Sequence, residues 1–154
     1  NSNFYNKFSK KKFILIYGDY FSRVEINKII HFSKKNKLDI ISVSFVNKWS
    51  DFNILKINPN DLIFFVKNSE FIITSMFHGV MLAYKYQKQF WYSEDPYRKN
   101  KLYYFLKKLN LIKQHVDYIG INEIDYKFND KEFKIWKKKS EEFIINNISK
   151  NNLS

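Results

Sequence analysis

The sequence is organised by short, continuous apolar runs that recur between stretches with a helical pattern. The first run is Phe13–Tyr17, and a turn at Gly18 and Asp19 ends it. Continuous runs of this kind are typical of strands buried on both faces, as in parallel sheets. The other segments that read as strands are 39–46, which is rich in β-branched residues, 71–74 and 89–92. The alternation predicts an α/β fold, a Rossmann-like open and mostly parallel sheet with helices on both faces.

The stretches between the runs contain helix start signals. Ser22 and Glu25 have the spacing of a capping box, in which each side chain satisfies a backbone N–H of the other residue. Asn58 and Asp61 flank a proline at the first helical position, which starts a second helix that ends near Asn68. The first helix should direct these residues inward: Val24, Ile26, Ile29, Ile30 and Phe32. Two more helices are predicted over 77–87 and 98–109, the last with one apolar face of Leu102, Phe105, Leu106 and Leu109.

Three other regions have less regular patterns. Residues 47–57 are interpreted as a loop with one short extended piece, and 118–120 as a short strand. Asn129 is predicted to cap a final amphipathic helix with these apolar residues: Phe133, Trp136, Phe143 and Ile144. Residues 1–154 are the size of one domain, with 149–154 as a frayed tail.

The composition restricts the classes of partner. The net charge of +12 allows an anionic partner, such as nucleic acid, an acidic membrane surface or a phosphorylated substrate. Lysine dominates over arginine, whereas readers of phosphates and bases favour arginine, so nucleic acid is not expected. The simpler interpretation is that Lys, Asn, Ile, Phe and Tyr are enriched together, as in any AT-rich coding sequence. The chain has no cysteine, which excludes disulfides and thiolate metal sites.

The run 71–74 leads into the most informative segment. It passes through Thr74 and Ser75 into a predicted helix that has His78 and Gly79 in its first turn. A helix N-terminus at a strand end binds anions through unpaired N–H groups and the helix dipole. His78 could contact such an anion or act as a general acid. The alternative is a histidine that only hydrogen-bonds a neighbouring loop.

Ligands of open α/β sheets bind at the carboxyl ends of the strands. This rule selects segments 18–23, 47–51, 74–79 and 93–98, and two of them end in arginines, Arg23 and Arg98. Each arginine could clamp a carboxylate or phosphate, or could be a surface residue held by a neighbouring acid. His31 and His115 are interpreted as structural or solvated. The histidine spacing and the lack of an acidic cluster predict no metal site, and no glycine-rich phosphate loop is present.

Segment 71–90, FIITSMFHGVMLAYKYQKQF, resembles the signature segment of the polysaccharide pyruvyl transferase family. The shared pattern is an apolar strand, Thr or Ser, His-Gly, a helix of small and apolar residues, then Lys and an aromatic strand. Segments 58–62 and 98–111 resemble the helices on either side. The resemblance implies a glycosyltransferase-B-like enzyme of two Rossmann-like domains, of which this chain would be the C-terminal, donor-binding half. It also implies transfer of a pyruvyl group from phosphoenolpyruvate, as donor substrate without a cofactor, to a sugar of a capsule or cell-wall glycan.

The resemblance further assigns roles to residues. His78 would contact the donor and act as the catalytic acid, beside these donor-binding residues: Thr74, Ser75, Met76, Phe77 and Gly79. Many members have Arg or Ser two positions before the histidine, where this chain has Met76, so either Arg23 or Arg98 would replace that group or the activity would differ from that of the family. The acceptor would be a glycan or lipid-linked sugar bound across the cleft by a preceding domain. The expected location is the cytoplasm, with possible peripheral contact with the anionic inner face of the membrane.

Two alternatives stay open from the residues alone. One is a glycosyltransferase domain on the same architecture that uses a sugar nucleotide, with Glu94 or Asp95 holding the ribose hydroxyls. The other is a non-catalytic Rossmann-like module that binds an anionic glycan or a membrane surface through its lysines.

Overall fold

A computed structural model describes residues 2–97, 99–127, 131 and 134–135. Five parallel strands form one sheet with the spatial order β3-β2-β1-β4-β5. The strands are β1 Phe13–Tyr17, β2 Asp39–Val43, β3 Phe52–Ile54, β4 Phe71–Thr74 and β5 Phe90–Tyr92. The helices are α1 Ser2–Ser9, α2 Arg23–Asn36, α3 Pro59–Asn68, α4 Phe77–Lys85 and α5 Lys99–Lys108, with single 3-10 turns at Ile112–Gln114 and Val116–Tyr118. The predicted Rossmann-like α/β fold is confirmed.

Both faces of the sheet are covered, as the continuous apolar strands require. Phe13 and Leu15 of β1 point into the larger core cluster, which is covered by α1, α3, α4 and α5. Ile14 and Ile16 point into a smaller cluster, which is covered by α2 and the second 3-10 turn. The predicted apolar face of α5 is buried in the larger cluster.

The two helix start signals are confirmed. Ser22 accepts a hydrogen bond from the backbone N–H of Glu25, and the Glu25 carboxylate accepts one from the N–H of Ser22. Asn58 and Asp61 make the same reciprocal pair at the start of α3. Val24 was predicted to point into the core, and this prediction is wrong, because the residue is 62% exposed. α2 instead buries the line of Glu25, Ile29 and Ser33, which are four residues apart and share one face.

Two strand predictions need correction. β2 ends at Val43, three residues earlier than predicted, because Ser44 has a φ of 65°, which a strand cannot accommodate. The extended piece expected within 47–57 is β3, which adds a parallel edge strand next to β2. The strand predicted at 118–120 is wrong, because the second 3-10 turn ends there and Gly120 has a φ of 76°.

No element is predicted from the sequence for the first twelve residues, yet the structure has α1 there. This helix docks on the larger core through Phe8, which is 3% exposed and packs edge-on against Phe65. The predicted final helix from Asn129, with Phe133, Trp136, Phe143 and Ile144, lies outside the described residues. None of the helices in the described ranges is long and apolar enough to cross a membrane.

Candidate functional site

Between β1 and β4, the two central strands of the sheet, the chain connections lead away in opposite directions. From β1 the chain proceeds to β2 and β3 on one side, whereas β4 lies on the other side of β1 and leads to β5. Open α/β sheets bind ligands at this switch point, beyond the carboxyl ends of the two central strands. The turns after β1 and β4 meet there, so the segments selected from the sequence at 18–23 and 74–79 lie side by side.

Gly18 and Ser75 pack directly against each other where these two turns meet. A Cβ atom on Gly18 would lie 2.2 Å from Ser75 Oγ, and Gly18 has a φ of 140°, so only glycine fits. Ser75 Oγ accepts a hydrogen bond from the backbone N–H of Tyr20 (3.3 Å). The side-chain amide of Asn47 donates to the Gly18 carbonyl (2.9 Å) and to Ser42 Oγ (2.8 Å). The ends of β1, β2 and β4 are therefore tied into one rigid edge.

Thr74 forms the frame of the turn that leads into α4. Its side chain is fully buried, and Oγ1 donates to the Tyr17 carbonyl (2.5 Å) and accepts from the N–H of Met76 (3.0 Å). Gly79 packs directly on this threonine, because a Cβ at position 79 would lie 2.1 Å from Thr74 Oγ1. In the described structure, Thr74 and Gly79 thus fix how α4 leaves the sheet.

The N-terminus of α4 lacks a side-chain cap within the described part of the chain. Met76 occupies the N-cap position in an extended conformation, and its side chain has no oxygen that could accept a hydrogen bond from the first turn. The backbone N–H groups of the first turn have no intrahelical partners, and the helix dipole adds about half a positive charge there. This end of α4 therefore favours an anion.

A cavity of about 420 Å³ opens at this helix end. From the β4–α4 side it is lined by Ser75, Met76, Phe77 and His78. From the segment after β5 it is lined by residues that include Asp95, Tyr97 and Lys101. The Lys101 ammonium lies 4.4 Å from the centre of the Phe77 ring, a cation–π contact that holds it at the cavity wall.

His78 is an exposed residue of the same wall. Its ring meets the edge of the Phe77 ring, with centroids 6.0 Å apart. Phe77 therefore contacts both His78 and Lys101, and these contacts position an imidazole and an ammonium group at the wall of one cavity. A site with a helix N-terminus, a lysine and a histidine can bind a phosphate or carboxylate, and the imidazole can exchange a proton with what is bound.

The residues predicted from the sequence separate into three groups. Four line the cavity together: Ser75, Met76, Phe77 and His78. Thr74 and Gly79 lie behind them, in contact with each other. Arg23 is the exposed first residue of α2 and is not among the residues that line the cavity, and Arg98 lies outside the described residues. The donor-binding roles of all these residues stay predictions.

Sequence reasoning missed Lys101 and the contribution of Tyr97. The selected segment 93–98 was correct in location but stopped before the first turn of α5. Because a helix that follows a parallel strand begins at the carboxyl edge of the sheet, its first-turn residues are also candidates. Including the first turn of α5 would have identified Lys101.

The other two histidines lie away from this cavity. His31 is exposed on α2. His115 is half-buried, accepts a hydrogen bond at Nδ1 from the backbone N–H of Asp117 (3.2 Å), and has Nε2 3.9 Å from Glu25. The structural or solvated interpretation of both residues agrees with these positions. The described ranges contain no group of His, Cys, Asp and Glu that could hold a metal ion.

No family model, curated protein or solved structure matches the chain. The class of protein that the structure defines is a Rossmann-like α/β protein with a five-stranded parallel sheet. Its candidate site is the cavity at the start of α4. The likeness of segment 71–90 to pyruvyl transferases therefore contributes a hypothesis about the ligand of this cavity.

Proposed function

We propose that this domain binds phosphoenolpyruvate at the cavity beside α4, as the donor-binding half of a polysaccharide pyruvyl transferase-like enzyme. The observation that carries the proposal is the convergence of His78 and Lys101 on one cavity at the uncapped N-terminus of α4. The transferase would place the pyruvyl group on a sugar of a cell-surface glycan or its lipid-linked precursor. Phosphoenolpyruvate is made in the cytoplasm, so the domain would work there.

The chemistry of the donor suits the groups around the cavity. Phosphoenolpyruvate has two anionic groups, a phosphate and a carboxylate. The N-terminus of α4 would bind one of them, and the Lys101 ammonium would bind the other. In ketal formation two sugar hydroxyls add to the central carbon and lose two protons, of which the methylene carbon takes one and the departing phosphate takes the other. The imidazole of His78, on the cavity wall, is the candidate group for the proton transfer. The acceptor sugar would enter from a preceding domain across the cleft.

A specific observation supports a second candidate, a glycosyltransferase that uses a sugar nucleotide. Asp95 lines the same cavity, and a carboxylate beside a phosphate site can hold the hydroxyls of a ribose. In this alternative the α4 N-terminus and Lys101 would bind the diphosphate. A nucleoside diphosphate should then bind more tightly than phosphoenolpyruvate.

The two candidates are separated by thermal unfolding of the chain with each ligand. A ligand that binds the folded state at a hundred times its Kd stabilises it by about 2.7 kcal/mol, which raises the Tm by several degrees. We expect this rise with phosphoenolpyruvate, its loss in His78→Ala, and its retention in the control His31→Ala, which changes an exposed histidine on α2.

Each other outcome identifies a different function. A larger rise with uridine diphosphate would favour the sugar-nucleotide enzyme. An equal rise with inorganic phosphate would favour a simple anion-binding module. If the wild-type chain shows no rise with phosphoenolpyruvate, the pyruvyl transferase proposal fails.

A further inference from the structure

A group of lysines lies at the edge of the sheet opposite the candidate site. In a parallel α/β sheet, the connections that lead from helices into strands lie at the amino edge. Residues 10–12, between α1 and β1, are all lysine. The end of α2 adds Lys34, Lys35 and Lys37, the last turn of α3 adds Lys67, and the end of α4 adds Lys85 and Lys88. We name this set of lysines the basic edge.

Few acids offset the basic edge. Asp39 begins β2 and is paired with Lys11 (2.5 Å), Glu70 precedes β4, and Asp51 lines one surface pocket together with Lys34 and Lys37. The connections at the carboxyl edge carry charges of both signs instead: Asp19 follows β1 and Glu94 and Asp95 follow β5, while Lys56 follows β3. A chain that is merely rich in lysine would have similar charge at both edges. The segregation therefore needs a cause beyond composition.

The helix dipole explains only part of this segregation. A cation near a helix C-terminus stabilises it by about 0.3–1 kcal/mol, which accounts for lysines such as Lys34 and Lys67 in the last turn. Lysines 10–12 and Lys88, however, follow the last helical residue; Lys11 pairs with Asp39, and Lys88 donates to the Ser69 carbonyl (2.9 Å). Their presence extends the positive surface across the loops between the elements.

The basic edge also presents an aromatic ring. Tyr86 follows α4 and is half-buried, and the ammonium groups of Lys67 and Lys85 lie 5.2 Å and 5.6 Å from its ring centre. Tyrosine is enriched at the headgroup level of bilayers, where its ring meets the apolar boundary and its hydroxyl meets water. Basic groups around such a ring suit an interface with anionic lipid headgroups.

We propose that the basic edge docks on the surface of an anionic lipid bilayer. Within the described helix-to-strand connections the positive charge is entirely lysine, which acts as a point charge and suits a fluid array of headgroups. Nucleic-acid binding favours arginine instead, for its bidentate contacts. Docking at this edge leaves the cavity beside α4 facing away from the bilayer, so the bound protein still takes up a small ligand. This surface is independent of the donor proposed above.

The test is co-sedimentation of the full chain with vesicles of phosphatidylcholine, with and without 30% phosphatidylglycerol. We expect binding only to the anionic vesicles, and a steep fall in binding as salt is raised. A lysine near such a surface contributes about 1 kcal/mol, so Lys34→Glu/Lys35→Glu should weaken binding about 30-fold or more. Both lysines are exposed at the end of α2, so the fold should tolerate the change.

The matched control is Lys56→Glu/Lys113→Glu, which makes the same charge change at two exposed lysines outside the basic edge. It should weaken vesicle binding much less. Equal weakening in the two variants would show that net charge alone causes binding, and would overturn the proposal. So would a lack of binding to anionic vesicles, or tighter binding of the chain to an RNA oligonucleotide than to the vesicles.

Discussion

Gly79 and Thr74 are in contact across the turn that joins β4 to α4. A Cβ at position 79 would lie 2.1 Å from Thr74 Oγ1 and 2.8 Å from Thr74 Cβ. Thr74 cannot move aside, because it is fully buried and its hydroxyl bonds both the Tyr17 carbonyl and the N–H of Met76. Close packing on Thr74 therefore requires a glycine at the second position of the His-Gly pair, whatever ligand the cavity binds.

Gly79→Ala should destabilise the protein, although alanine is the better helix former by about 1 kcal/mol. The added methyl group meets a buried, immobile side chain, and overpacking of this kind typically costs about 1–3 kcal/mol. Urea unfolding measures the change, with Asn27→Ala at an exposed position of α2 as the control, which should stay within about 0.5 kcal/mol of wild type. A Gly79→Ala protein as stable as wild type would contradict the contact.

Lys101→Gln should weaken the binding of phosphoenolpyruvate about 10- to 100-fold. The substitution removes the ammonium from the cavity wall, and a hydrogen bond to a charged group contributes about 1.5–3 kcal/mol. Isothermal titration calorimetry measures the Kd. Lys107→Gln is the matched control, since it removes the same charge from an exposed position later in α5. A similar loss in both variants would assign the effect to the overall charge.

Met76→Arg should strengthen phosphoenolpyruvate binding, by up to about tenfold at moderate salt. Met76 lines the cavity and occupies the N-cap of α4, so an arginine there would add a fork of donors beside the helix end. Titration calorimetry at two salt concentrations tests the gain, which should shrink at high salt. Met76→Gln, a neutral side chain of similar length, should show little gain. Unchanged affinity in the arginine variant would place the anion elsewhere in the cavity.

Tyr5 and Asp61 connect α1 to the start of α3, and this pair predicts a pH effect. The Tyr5 hydroxyl donates to the Asp61 carboxylate, and this bond, together with the backbone N–H of Asn58, holds the pKa of Asp61 below its ordinary value. The folded state therefore gains stability that is fully present above the pKa of the unfolded carboxyl group. That stability is lost as the pH falls through the lower pKa of the folded state.

Tyr5→Phe should move the pKa of Asp61 upward, so that acid unfolding begins at a higher pH than in wild type. Carbon-detected NMR of the Asp61 carboxyl group measures the pKa, and circular dichroism follows the unfolding. Tyr97→Phe is the control, because Tyr97 is 91% exposed. An unchanged Asp61 pKa in Tyr5→Phe would show that α1 does not dock on α3 in solution.

The central part of the fold was predictable from the sequence because its signals are local. The apolar run of β1, the capping box at Ser22 and the proline at the start of α3 each define an element within a few residues. Val24 was misplaced because a capping box locates the start of a helix but does not determine its rotation about its axis. The bend at Ser44 was missed because a serine with a positive φ has no distinctive pattern.

The site was only partly predictable, for a different reason. Segment 74–79 is continuous in the chain, so its residues could be identified together. Lys101 joins them only through the packing of α5 near α4, where Phe105 contacts Phe77 with ring centroids 5.6 Å apart. Such a neighbour depends on tertiary packing, and the sequence locates only the edge of the sheet at which it lies.

The pairing of β1 with β4 predicts how the protein behaves when its chain is cut between these two strands. This ladder joins a unit of β1, α2, β2 and β3 to a unit of β4, α4 and β5, and the hydrogen bond between Thr74 and Tyr17 spans 57 positions. The exposed residues Leu55 and Lys56 lie between the two units. A protein cut there should reassociate from its two pieces through the β1–β4 ladder. An anion held at the end of β4 would then favour the reassembled form over the separate pieces.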